Sequence, residues 1–226
     1  IRNANMVASR VVTEIHRKLF HSLMGLVAIV NWIGGPLLSI GFAGICLAFF
    51  LGFDFSRVRV YGYFPFRRVT ERVMRSAERT KLGANVFFAV GTLFSLLLLY
   101  LWGSFLLRFG LACYWMLSGW LAVSAVLVSA IGDGAAAIIG MSIGRHRLRD
   151  NRTVEGSIGG FVFGFLTFLL LSYFIGIPWF YGLIAAVMLV VVEIVALSIN
   201  DNLLNPVVLG IALAVSEVLF TLFGVV

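Results

Sequence analysis

Charged residues are scarce in this chain: Asp, Glu, Lys and Arg make up 12% of its 226 residues. A soluble domain carries about a quarter, so an ordinary globular protein is excluded. Cysteine is nearly absent too. Cys46 and Cys113 are the two present, each inside an apolar run where a thiol packs as a small hydrophobe. That excludes a disulfide framework and a cysteine-based metal cluster. Only 4 prolines interrupt the chain, which leaves room for long helices. No GxxxxGK[ST] loop and no protein-kinase signature occurs, so an ordinary ATP site has no support. What is present is apolar bulk: 61% of the residues are hydrophobic and the mean hydropathy is +1.05. The solvent of such a chain is mostly lipid, and the fold class is an all-α, polytopic integral membrane protein.

Apolar runs long enough to cross a bilayer fall at residues 19–35, 36–53, 83–102, 110–131, 158–176, 178–199 and 206–225. They predict about seven transmembrane helices in a single membrane-embedded domain, 1–226. Gly34-Gly35-Pro36 is the turn between the first two runs, or a kink within one long hairpin. No small-residue cleavage site follows the first run, which reads as an uncleaved anchor.

Charge placement supports that count, because short cytoplasmic segments collect Lys and Arg. Of the 17 basic residues, 4 precede the first span, 8 lie between the second and third, and 4 lie between the fourth and fifth; Arg108 stands apart. With a cytoplasmic amino terminus, 16 of the 17 share the cytoplasmic side. The active site is therefore expected to face the cytoplasm, from a prokaryotic plasma membrane or a eukaryotic endomembrane. The Asn151-Arg152-Thr153 sequon would then lie on the wrong side for glycosylation.

Several polar constellations interrupt the apolar background. Glu14, Lys18 and His21 share a helical face by spacing, with Arg17 beside them. Arg17 and Lys18 read equally as topology anchors, whereas His21 already lies inside an apolar run. Residues 54–82 form a basic segment with Tyr61, Tyr63, Phe64 and Phe66 interleaved. Val69, Val73 and Ala77 recur at helical spacing there, which predicts a cytoplasmic amphipathic helix against an anionic membrane surface. So short a tethered segment does not suit nucleic acid, and no nucleic-acid partner is expected.

Residues 131–157, IGDGAAAIIGMSIGRHRLRDNRTVEGS, carry the densest chemistry. An acid at the end of a membrane span is costly without a partner, which makes Asp133 a functional candidate. Gly132 and Gly134 flank it. Arg145, His146, Arg147, Arg149 and Arg152 follow, then Glu155, Gly156 and Ser157. Carboxylates for a hydrated Mg²⁺, cations for phosphate and glycines for close backbone approach together suit a polyphosphate. Gly140 and Gly144 are a small-x-x-x-small pair and read as helix packing. Glu193 lies inside an apolar run and needs a partner or a water-lined cavity. Asp201 and Asn202, taken by themselves, read as a turn with a helix cap. Glu217 poses the same puzzle as Glu193, and the sequence assigns it no chemistry.

In these residues the chain resembles the CTP-dependent lipid kinases, the group of dolichol kinase, phytol kinase and the CTP-dependent diacylglycerol kinase, distantly related to the CDP-diacylglycerol synthases. The resemblance rests on RKLFH at 17–21, Arg75-x-x-Glu78 with Gly83 after it, GDGAAAIIGMSIGRHRL at 132–148, VEGS at 154–157 and DNLLNP at 201–206. These stretches follow family order over nearly the whole chain, and the Gly-Asp to Glu-Gly-Ser block is the specific part. Two positions depart from the family pattern. Arg152 stands where a lysine commonly precedes Ser/Thr-x-Glu-Gly, and Asn200 stands where a second acid often precedes the Asp-Asn pair.

The resemblance implies transfer of the CTP γ-phosphoryl group to the hydroxyl of a membrane lipid alcohol. A polyprenol or dolichol is preferred over phytol, geranylgeraniol or diacylglycerol. It implies Mg²⁺ as cofactor, held by Asp133 with Asp201 or Asn202 as a second contact. Arg17, Lys18, Arg145 and Arg152 would meet the triphosphate together with Gly132, Gly134, Gly156 and Ser157. Glu155 would bind metal or position a cation, and His21 or Glu193 would accept the hydroxyl proton. A CDP-lipid synthase shares the glycine and acid block, but its carboxy-terminal Lys-Asp with a later His-Gly-Gly and Asp-Arg is absent. An ion-coupled transporter would use intramembrane acids such as Glu193 and Glu217, yet predicts internal repeats that the chain lacks. A purely structural membrane protein would leave Asp133 unexplained. Lipid-facing and subunit-facing apolar surfaces read alike, so the sequence sets no oligomeric state.

Overall fold

The computed structural model describes residues 23–59, 82–111, 114–149, 152–195 and 200–224. A short 3₁₀ turn, Leu23–Gly25, leads into α1 (Leu26–Arg59), and α2 (Ala84–Leu107), α3 (Tyr114–Leu117) and α4 (Trp120–Ile143) follow. A two-stranded antiparallel hairpin, β1 (Arg147–Arg149) with β2 (Arg152–Thr153), then precedes α5 (Val154–Ile175), α6 (Phe180–Val195) and α7 (Asp201–Leu222). Five helical stretches are long and apolar enough to cross a membrane, the 37-residue Leu23–Arg59 being one of them.

That stretch is not a straight rod. Gly35 takes φ 71°, ψ −168°, a conformation open to glycine. Pro36 has no N–H to continue the ladder. In a straight helix Asn31 and Ser39 would be about 12 Å apart, yet Ser39 Oγ donates to Asn31 Oδ1 at 3.2 Å. Asn31 Nδ2 also donates to the Ser118 carbonyl just before α4, while Gly25 packs beside Leu127, further along α4. The first arm thus rises to the start of α4. The second arm returns toward Gly83, whose N–H donates to Asp54. The Gly34-Gly35-Pro36 turn signal is a reversal between two arms.

α4 is the hub of the bundle. Its residues from Leu121 to Val126, then Val128, Ser129 and Ala130, are all buried, as befits a helix surrounded by others. Its closest partner is α5, and glycines set the approach. A Cβ on Gly156 would lie 2.7 Å from the Ala136 carbonyl oxygen, and one on Gly160 would lie 3.1 Å from Ala136 Cβ. A Cβ on Gly132 would strike Leu189 Cδ2 of α6. Without a hydrophobic force between helices in lipid, such close backbone packing supplies much of the association energy. α2 and α7 run parallel, with Gly91 against Leu203 and Gly210 against Ser95 and Leu99.

Apolar side chains cover the outside. Tyr173 is 83% exposed, Ile33 75% and Ile45 71%, an excess that water would not tolerate but lipid does. The two ends of the bundle differ. Aromatic pairs Phe105–Phe109, Tyr114–Trp115, Tyr173–Phe174 and Trp179–Phe180 gather at one end, in the manner of an interfacial belt. The hairpin and the starts of α2, α5 and α7 lie at the other.

The predicted boundaries shift in two places. The span expected over 110–131 is the helix Trp120–Ile143, so Asp133 lies within a helix rather than at its end. Gly132 and Gly134, expected to flank Asp133 beside the phosphates, sit inside α4 and are buried there, Gly132 against Leu189 and Gly160. The basic segment expected over 54–82 also begins later. α1 continues to Arg59, and Asp54 and Arg57 are buried on it. The predicted amphipathic helix lies outside the described residues, as does the end of the span expected over 178–199, of which α6 covers Phe180–Val195.

Candidate functional site

Three pairings gather at the polar end of the bundle. The hairpin between α4 and α5 is fixed by Glu155. Its carboxylate accepts from the Arg145 N–H at 3.1 Å, from the His146 N–H at 3.2 Å and from His146 Nδ1 at 2.7 Å. The Thr153 hydroxyl caps α5 by accepting from Gly156 N–H at 3.1 Å, as a threonine does at this position. Glu155 therefore shapes the loop, and Arg145, His146 and Arg147 stand exposed around it. Gly144 closes α4 against Thr153, with its N–H on the Gly140 carbonyl.

Arg152 makes the second pairing. One guanidinium nitrogen, Nη2, donates to Asp201 Oδ2 at the start of α7, 49 residues away in sequence. The other, Nη1, is buried with no hydrogen-bond partner among the described residues. Asn200 caps α7, its Oδ1 accepting from the Asn202 N–H and the Asn202 side-chain amide, each at 3.0 Å. Asn202 thus serves the cap. One turn further in, Asn205 is 2% exposed, and its Oδ1 is likewise without a partner among the described residues. Asn85 Oδ1, at the start of α2, shares that condition.

The third pairing lies deeper. Ser157 Oγ donates to Glu193 Oε2 at 2.7 Å, both residues buried between α5 and α6. Glu193 thus has the partner that an acid in an apolar helix requires. Asp133 is half-buried on α4, one position round the helix from the Gly132, Ala136 and Gly140 stripe that meets α5. Gly132 and Gly156 stand at helix contacts, and Gly134 is buried in α4. His21, Arg17 and Lys18 lie outside the described residues, as do Arg75 and Glu78.

Two arrangements carry little signal in the sequence. Asp54 accepts from Arg57 Nε at 3.1 Å and from Gly83 N–H, joining the end of α1 to the start of α2. An acid and an arginine three apart at the end of an apolar run are the only hint. Glu217, without an assigned role in sequence, accepts from the Trp115 N–H at 2.7 Å and the Met116 N–H at 3.0 Å. It caps α3 at the aromatic end, far along α7 from the polar cluster.

No group of three or more His, Cys, Asp or Glu that could hold a metal occurs among the described residues. Mg²⁺ bound with a nucleotide needs only one or two carboxylates, since waters and phosphate oxygens complete its shell. No protein-family model, no curated protein and no solved structure matches the chain.

Proposed function

We propose that this chain is a CTP-dependent kinase that moves the γ-phosphoryl group of CTP to the hydroxyl of a membrane lipid alcohol, a polyprenol or dolichol by preference. The observation that carries the reading is the Arg152–Asp201 pair. It brings a phosphate-type cation from the 132–157 block against an acid of the DNLLNP stretch. Two motifs of the resemblance thereby meet at one point of the bundle.

The proposed topology has seven passes: the two arms of Leu23–Arg59, then α2, α4, α5, α6 and α7, with the hairpin on the cytoplasmic side. CTP reaches the site from water and the lipid alcohol from the bilayer. Arg145 and Arg152 would bind the triphosphate. Asp133 would hold Mg²⁺, which when bound neutralises charge on the phosphates, and Asp201 would join it by exchanging Arg152 for the ion. In the reaction the lipid oxygen bonds to Pγ while the bond from Pγ to the bridging oxygen breaks and CDP leaves. The hydroxyl proton passes to Glu193, to His21 or to water, and such loose transition states ask little of the base. Glu155 acts through the hairpin as a positioning residue.

The test is transfer from γ-labelled CTP to lipid alcohol by purified protein, beside Asp133→Asn. Wild type is expected to label lipid and Asp133→Asn to lose nearly all transfer while remaining folded. Near-normal transfer by the variant would remove the metal assignment.

A further inference from the structure

Two buried polar atoms flank the Arg152–Asp201 pair with opposite needs. Arg152 Nη1 is a donor without an acceptor, and Asn205 Oδ1 an acceptor without a donor, among the described residues. Asp201 and Asn205 are four apart in α7, so they share a helical face about 6 Å apart along the axis. Arg152 thus meets α7 one turn before Asn205. The two atoms do not satisfy one another. Pro206 adds to the acceptor side, because it has no N–H to return to the Asn202 carbonyl. A buried amide oxygen left unpaired costs free energy and calls for a partner. The group that answers both needs at once is a hydroxyl, whose oxygen accepts from a guanidinium while its O–H donates to an amide.

We infer that Arg152 Nη1 and Asn205 Oδ1 form the seat of the acceptor hydroxyl, Asn205 being the residue that recognises its O–H. The identity of that hydroxyl as a lipid alcohol rests on the kinase reading. Depth favours the assignment. Asn205 lies one turn further into the bundle than Asp201 and is buried, whereas Arg145 and Arg147, past which the nucleotide would enter, stand exposed at the hairpin. In this seat the remaining lone pair of the hydroxyl oxygen is left to face phosphorus.

The probes are geranylgeraniol and its methyl ether, which differ only in the donor hydrogen, added to full-length protein in detergent without nucleotide. The alcohol is expected to raise the melting temperature and the ether to have little effect. Asn205→Leu, close in size, is expected to abolish the response to the alcohol. It should itself melt above wild type, because a buried unpaired oxygen is gone. Its affinity for Mg–CTP should be unchanged, and its KM for lipid alcohol should rise about tenfold, the usual cost of one lost hydrogen bond. Asn205→Ala serves the same ligand test if leucine does not fit.

Equal stabilisation by alcohol and ether would assign the seat to a resident water and overturn the inference. So would a variant that keeps the alcohol response, or one that loses Mg–CTP. If wild type discriminates alcohol from ether yet transfers no phosphate, the seat stands and the kinase reading falls.

Discussion

A carboxylate in an apolar bundle stays where hydrogen-bond donors hold it, and Glu217 shows this without any chemistry attached. Its two oxygens meet two backbone N–H groups of α3, and it is 2% exposed. Glu217→Gln keeps one acceptor but turns an amide donor toward the other N–H. It should destabilise the protein by about 1–3 kcal/mol, read by denaturant unfolding in detergent, with lipid phosphorylation per folded molecule unchanged. A loss of turnover without a loss of stability would place Glu217 in the reaction instead. Arg152 gives the opposite pattern. Arg152→Gln should lower CTP-dependent transfer by about a hundredfold, as expected for a preorganised donor to developing charge, in a kcat/KM measurement. Full activity in that variant would detach the Arg152–Asp201 pair from catalysis.

Among the elements, the glycines divide by what a methyl group would strike. A Cβ at Gly156 meets the backbone of α4, whereas one at Gly41 on α1 meets nothing within 4 Å. Gly156→Ala should therefore cost about 1–3 kcal/mol through overpacking. Gly41→Ala should be neutral or gain up to about 1 kcal/mol in helix propensity. Thermal unfolding of the two variants side by side checks the pair, and equal costs would contradict the packing described. Gly35→Ala should cost about 1–2 kcal/mol, since its positive φ suits no side chain.

The same elements show what could be read beforehand. Hydrophobic runs announced the five long helical stretches because each is longer and more apolar than a soluble helix needs. A break at Gly35, as a turn or a kink, was visible because Gly-Gly-Pro is local chemistry. The end of α4 was not, because Gly132 and Gly134 punctuate a sequence in the same way whether they end a helix or let another helix approach. Glu155 was legible as important but not as a brace for the hairpin, since its partners are mainly backbone N–H groups, which every residue has. The Arg152–Asp201 and Ser157–Glu193 pairs join residues 49 and 36 apart. Only tertiary packing decides such meetings.

At the scale of the whole molecule the ends differ, with cations at one and aromatic pairs at the other, and the proposed topology places the cationic end in the cytoplasm. In a background with Cys46 and Cys113 replaced by serine, a cysteine at Arg147 should react with membrane-impermeant maleimide only from the cytoplasmic side. A cysteine at Phe109 should react only from the opposite side. Labelling of both from one side would contradict the through-membrane arrangement. The central claim concerns which bond of CTP breaks, and one measurement reads it. Solubilised protein is given a lipid alcohol and Mg–CTP labelled at either the α or the γ phosphate, and the lipid is extracted and counted. Label from the γ position alone is the predicted result. Label from the α position would make the protein a cytidylyltransferase and contradict the account, and no label from either would contradict both.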